Sequence, residues 1–179
     1  MISTRKNAID KNEWQTPREL FDLCVKEFGE FDLDVAASYT NHLADSYYSK
    51  KISALSTNWR AKNAWLNPPF STYLDKILGR VDIGYWLKYA AVQVRDKRVD
   101  QCVCLVPAQP SANWFYQAAQ EAFEVRFLTP RVNYVHPEKT NKSGGNGGSA
   151  IILFKEGHYR FDLNGDIIEP PYISFWKWK

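Results

Sequence analysis

Short apolar runs that read as strands alternate along this chain with amphipathic stretches that read as helices. The pattern predicts an α/β fold with a mixed, mostly parallel sheet and a C-terminal antiparallel hairpin. Two runs carry most of that prediction. From Gln101 to Val106 the chain is almost continuously apolar, as a strand covered on both faces requires. Asn63-Ala64-Trp65-Leu66 is a second strand, cut off by Asn67-Pro68-Pro69 because neither proline can donate to a sheet ladder.

The remaining elements follow in order. Residues 1 to 13 are polar without periodicity and predict a flexible N-terminal arm, with a single domain over 14–179. Thr16 and Pro17 suit the cap and first turn of a helix in which Leu20, Phe21, Leu23, Cys24, Val25 and Phe28 recur at helical spacing until Gly29. Phe31 to Ala37 alternates and opens into polar Ser38, Thr40 and Asn41, as the end of a strand does. Residues 73 to 95 predict a helical stretch with breaks at Gly79 and Gly84. Ser111 is placed to cap a helix through Phe123. Glu124 to Leu128 and Ser149 to Phe154 read as strands joined by a polar, glycine-rich connection, and this pair is expected to form the closing hairpin. The aromatic end, Phe175 to Lys179, has no readable pattern.

With 179 residues, 45% of them apolar, the chain suffices for one full core. Cys24, Cys102 and Cys104 lie in apolar surroundings without C-x-x-C spacing, which argues against a disulfide framework or a zinc site and for a reducing compartment. The N-terminus lacks the apolar stretch of a signal peptide, and no window is apolar enough to span a membrane, so a cytoplasmic protein without membrane association is expected. A net charge of +3 is compatible with a polyanionic partner and does not require one. Nothing in the sequence implies an obligate protein partner.

The residues richest in chemistry are Asn67-Pro68-Pro69-Phe70, at the carboxyl end of a strand, where open α/β sheets bind their ligands. A planar amine is a weak nucleophile because its lone pair is delocalised, and it is activated by acceptors that hold its hydrogens. The Asn67 side-chain carbonyl and the Pro68 main-chain carbonyl provide two. The prolines fix φ and restrict the residues before them, so both acceptors are set in advance. Phe70 offers a flat face for stacking a base, worth about 1–3 kcal/mol in nucleic-acid sites. The same logic suits adenine in DNA or RNA and a protein glutamine, and in isolation the tetrapeptide also reads as a plain strand-ending turn. Upstream, Asp34 with Ala36 and Ala37 reads as a strand-end turn whose small residues admit a ligand close to the backbone, while Asp34 by itself reads rather as a solvated strand-end or helix-capping carboxylate.

In order along the chain, Glu13-Trp14-Gln15-Thr16-Pro17, Phe31 to Ala37, Asn41, Trp59, Trp65 to Ser71 and Leu105-Val106-Pro107-Ala108 resemble the short phage-type DNA N6-adenine methyltransferases, the phage Dam family. The resemblance implies a Rossmann-like fold and methyl transfer from S-adenosyl-L-methionine to adenine N6 in DNA, with the base flipped out of the duplex and in the host-cell cytoplasm if the gene is a phage's. It implies that Asn67, Pro68, Pro69 and Phe70 are catalytic. Gln15, Thr16, Pro17, Asp34, Ala36 and Ala37 would bind the donor, and the variable segment 131–149 would meet DNA through Lys139, Lys142 and Ser143. Relatives carry an acid before Ala-Leu where this chain has Ser53-Ala54-Leu55, with Asp45 a possible substitute. No metal is needed. A catalytically inactive DNA-binding module is the reading from a different class, and donor binding separates the two.

Overall fold

The computed structural model describes residues 12–136, 139–143, 147–156 and 171–179. Seven strands form the main sheet: β1 (Leu33–Asp34), β2 (Ser46–Tyr47), β3 (Ala61–Leu66), β6 (Val99–Pro107), β7 (Glu124–Thr129), β10 (Ser149–Lys155) and β11 (Tyr172–Lys177). Their order is β11-β7-β10-β6-β3-β1-β2. All neighbours run parallel except β10, which is antiparallel to both β6 and β7. The mixed, mostly parallel sheet predicted from the sequence is therefore present, including the antiparallel pairing of β7 with β10.

Among the described residues, three helices cover the sheet: α1 (Arg18–Phe28), α2 (Ile83–Arg95) and α3 (Asn113–Glu121). Strand side chains alternate between two cores, because successive Cβ atoms point to opposite faces. Cys102, Cys104 and Val106 of β6 join Leu87, Ala90, Phe115 and Ala118 on the α2/α3 face. Val103 and Leu105 join Leu20, Phe21 and Cys24 of α1 on the other. Covering both faces is why β6 and β10 read as unbroken apolar runs.

Among the described residues there are also two small hairpins: β4 (Tyr73–Asp75) with β5 (Gly79–Val81), and β8 (Tyr134–His136) with β9 (Lys139–Ser143). The first corrects the helical reading of 73–81. Asp75 accepts the N–H groups of Ile77 (2.8 Å) and Leu78 (2.9 Å), and Gly79 takes φ +74°, so the turn chemistry closes a three-residue hairpin loop before a helix can start. Asp82 then caps α2 by accepting from the Tyr85 N–H at 3.0 Å. Two expected caps are also corrected. Neither Thr16 nor Ser111 caps its helix; Pro17 and Ala112 occupy the N-cap positions, without a side-chain bond. Residues 1–11 of the expected N-terminal arm lie outside the described residues. Asn12 and Glu13, its last two, are held by hydrogen bonds to Ser71 and Lys50. Among the described residues, no helix is long and apolar enough to cross a membrane.

Candidate active site

The parallel strands β1, β3 and β6 end on one rim, and the residues singled out in the sequence gather there. Asp34 lies opposite Trp65 in the β1–β3 register, two residues before Asn67. Paired strands run about 4.8 Å apart, so the Asp34 turn and the Asn67 loop leave the sheet side by side.

The 67–71 loop is tied to two other segments. The Ser71 N–H donates to Asn12 Oδ1 at 3.1 Å. The Phe70 ring meets the Tyr134 ring edge-on, centroids 5.6 Å apart. Gln15 and Val135 exchange a pair of backbone hydrogen bonds, Gln15 N to Val135 O at 2.7 Å and the return at 3.0 Å. The segment before α1, the loop after β3 and strand β8 thus form one connected wall. Sequence reasoning missed Asn12 and Tyr134, whose partners are 59 and 64 positions away along the chain. The only local signal was an aromatic in the polar stretch Asn133-Tyr134-Val135-His136.

Asn67 Oδ1 and Thr16 Oγ1 are buried in this region and find no hydrogen-bond partner among the described residues. Buried polar groups are almost always hydrogen-bonded, and an acceptor held open at a strand end suits a ligand that brings its own donor. Phe70 is half-buried and packs against both cores, which fixes its ring while part of it stays accessible.

Asp34 is buried, and its carboxylate faces its own loop. Oδ2 accepts from the Leu43 N–H at 3.0 Å and Oδ1 from the Ala36 N–H at 3.4 Å. Burial pushes its pKa up to about 6, against the opposing pull of those two N–H groups and of His42. The carboxylate therefore shapes the 35–43 turn. The Ala37 N–H is bound to the Tyr48 carbonyl at 3.0 Å. Ser53 accepts from the Leu55 N–H at 3.3 Å and caps the short 3-10 turn Ala54–Ser56. Asp45 is exposed.

Lys139, Lys142 and Ser143 lie on β9, with Lys139 opposite His136 and Ser143 opposite Tyr134. Their backbone places them beside the wall; their side chains lie outside what the structure describes.

A family model described as DNA N-6-adenine-methyltransferase (Dam) matches residues 3–166. The DNA N-6-adenine-methyltransferase of Escherichia phage T1 is 32% identical over 161 residues, covering 80% of this chain and 62% of that protein. This chain thus spans less than two thirds of the T1 protein. The DNA N-6-adenine-methyltransferase of Haemophilus phage HP1 (strain HP1c1) is 26% identical over 160 residues, covering 87% of this chain and 85% of that protein. A candidate RNA methyltransferase from Pyrococcus horikoshii superposes with a TM-score of 0.40 at 16% identity, over 79% of this chain and 60% of that one. That likeness is loose, and the fold rests on the strand order described above. With the family model spanning residues 3–166, the chain belongs to the DNA N-6-adenine-methyltransferase (Dam) family.

Proposed function

We propose that this chain transfers a methyl group from S-adenosyl-L-methionine to the N6 amine of adenine in DNA. The observation that carries the reading is Asn67 Oδ1, buried and without a hydrogen-bond partner among the described residues, in the loop that carries Phe70. Asn67 Oδ1 accepts one amine hydrogen and the Pro68 carbonyl the other. Both draw the nitrogen toward pyramidal geometry and free its lone pair. Phe70 stacks on the base, and Pro68 and Pro69 keep the acceptors from turning away.

The residues present fit the donor. Its cationic centre and polar groups suit a rim with an open Thr16 Oγ1 and the small residues Ala36 and Ala37. Gln15, Thr16 and Pro17 would hold it from one side. Asp34, Ala36 and Ala37 would form the turn against its other side, with Asp34 keeping that turn in shape. When bound, the donor would supply an electrophilic methyl on a sulfonium, whose S–CH3 bond breaks to leave a neutral thioether as the N–CH3 bond forms. The amine nitrogen gains its positive charge during transfer and loses a proton to water afterwards, so no side chain is needed as a strong base.

Because a stacked adenine cannot reach Asn67, the base leaves the duplex. DNA would lie across the rim against the β8–β9 hairpin, with Lys139, Lys142 and Ser143 toward the phosphates. Binding should then weaken as salt rises.

The test is transfer of labelled methyl to unmethylated DNA, RNA and protein in parallel, with Asn67→Ala as control. Label on DNA adenine N6 that disappears in Asn67→Ala is the expected result. Label on RNA or protein alone, or label retained by the variant, overturns the reading.

A further inference from the structure

The β4–β5 hairpin is inserted between the carboxyl end of β3 and the first turn of α2, so topology puts it on the same rim as Asn67. Only Ser71 and Thr72 separate Phe70 from the first strand residue, Tyr73. One side of the hairpin is anchored: Tyr73 and Leu78 pack on the α2/α3 core and Val81 is fully buried. The other side presents two large aliphatic residues to water, Leu74 at 84% exposure and Ile77 at 88%.

Single exposed aliphatics are ordinary on a protein surface. Two on one short hairpin, held in a fixed turn, are a different matter. The double acceptance by Asp75 and the positive φ of Gly79 lock the loop, so Ile77 at the tip and Leu74 on the strand are held out rigidly. Leu74 pairs across the hairpin with Arg80, and Lys76 precedes Ile77. Neither Lys76 nor Arg80 forms an ion pair among the described residues. The two nearby acids, Asp75 and Asp82, are turned onto backbone N–H groups. Aliphatic side chains flanked by uncommitted cations match one ligand chemistry well: stacked bases edged by phosphates.

We propose that this hairpin is a wedge for duplex DNA: Leu74 and Ile77 enter the base stack beside the departing adenine, with Lys76 and Arg80 on the adjoining phosphates. The proposal rests on the reading that the substrate is DNA adenine. Its physical content is that apolar surface already exposed in the free protein is buried between bases. That burial offsets the loss of stacking when a nucleotide swings out. Phe70 then holds the extruded base while the hairpin fills the gap.

An inserted wedge unstacks and unwinds DNA, so closed circular plasmid relaxed by a topoisomerase in the presence of the full-length protein should show a lowered linking number. We expect the shift to be lost in the double variant Leu74→Ser/Ile77→Ser and kept in Leu74→Met/Ile77→Met, which preserves the apolar volume. On duplex DNA the serine variant should transfer methyl about tenfold more slowly, with the methionine variant near the parent protein. Thermal unfolding midpoints should coincide, since both positions are exposed; if the double serine variant fails to fold, the single variants carry the same comparison. Unwinding by the serine variant equal to the parent protein's, or its loss in both variants, overturns the wedge. Absence of label on adenine beside an intact unwinding difference overturns the activity reading and leaves the wedge standing, so the two failures are distinguishable.

Discussion

The rings of Phe70 and Tyr134 meet at 84° with centroids 5.6 Å apart, joining the loop after β3 to the first strand of the β8–β9 hairpin. Tyr134 is buried, and its hydroxyl lies 3.1 Å from Ser149 Oγ on β10, so the contact reaches back to the main sheet. Removing the Phe70 ring should reduce methyl transfer far more than stability, because the ring is only half-buried. Removing the Tyr134 ring should do the reverse, costing about 3–5 kcal/mol of stability as a buried aromatic deletion. Tyr134→Phe keeps the ring contact and should cost about 1 kcal/mol through the stranded Ser149 hydroxyl. Urea unfolding beside initial rates of transfer checks all three, and equal effects of Phe70→Ala on both measures would contradict the assignment.

Asn67 should display the reverse of a structural residue's behaviour. Its Oδ1 is buried without a hydrogen-bond partner among the described residues, so Asn67→Ala removes a desolvated acceptor rather than a made bond. Stability is expected to stay level or rise by about 1 kcal/mol, while methyl transfer is abolished. A melting point several degrees lower in the variant would show that the amide is a structural element instead.

The Asp34 carboxyl predicts a pH dependence with an unusual sign. Burial raises its pKa from 3.8 to about 6, so the folded protein holds this proton more tightly than the unfolded chain. The associated stability is fully present below the unfolded value and is lost as pH rises through about 6. Asp34→Asn lacks this titration, and its stability relative to the parent protein should climb from pH 4 to pH 7, by up to about 3 kcal/mol for a two-unit shift. Denaturant midpoints for both proteins across that range measure the difference. A gap that stays constant with pH would sink the prediction.

On the α1 face of the sheet, Arg126 lies between the rings of Phe28 and Trp176, at 5.1 and 5.2 Å, and makes a two-pronged bond to Glu124 at 2.8 and 2.9 Å. A third bond reaches Glu27 at 2.8 Å. Burial alone would raise the Glu124 pKa, yet the bonds from Arg126 and Ser174 outweigh it and hold the group below its ordinary value. Arg126→Leu leaves that buried carboxylate with only Ser174, and a loss of about 3 kcal/mol is expected. Arg126→Lys should recover less than half of it, since an ammonium neither forks nor stacks as a guanidinium does. Guanidinium-chloride melts check both, and methyl transfer below the melting range should be unaffected.

Much of the architecture was legible because two-sided burial writes itself as runs of apolar residues: β6 and β10 announce themselves this way, and α1 does so by its helical spacing. The β4–β5 hairpin was not legible as one. Tyr73 and Ile77 also fall at helical spacing, and the deciding bonds from Asp75 are side-chain events. β11 escaped because it is a sheet edge with Tyr172, Ile173 and Phe175 exposed, so no alternation marks a buried face. Within the site, the residue types at Asn67 to Phe70 and at Asp34 could be read in advance. Their mutual placement through Asn12, Gln15 and Tyr134 could not, because each link joins segments far apart in sequence. The loop-directed carboxylate of Asp34 was also unforeseen; only the fold reveals that Leu43 and Ala36 are its partners.

The strand that runs against the others, β10, sits between β6 and β7, and within the sheet β7 and β11 reach the rest only through it. During synthesis, β7 is therefore made before the strand that will anchor it, and its apolar residues must wait for about twenty-five more positions to emerge. The late strand is thus the keystone of the sheet: the ladder between β6 and β7 cannot close until residues 149–155 exist. Any device that delays residues 149–155 would leave β7 without its ladder partner in the sheet.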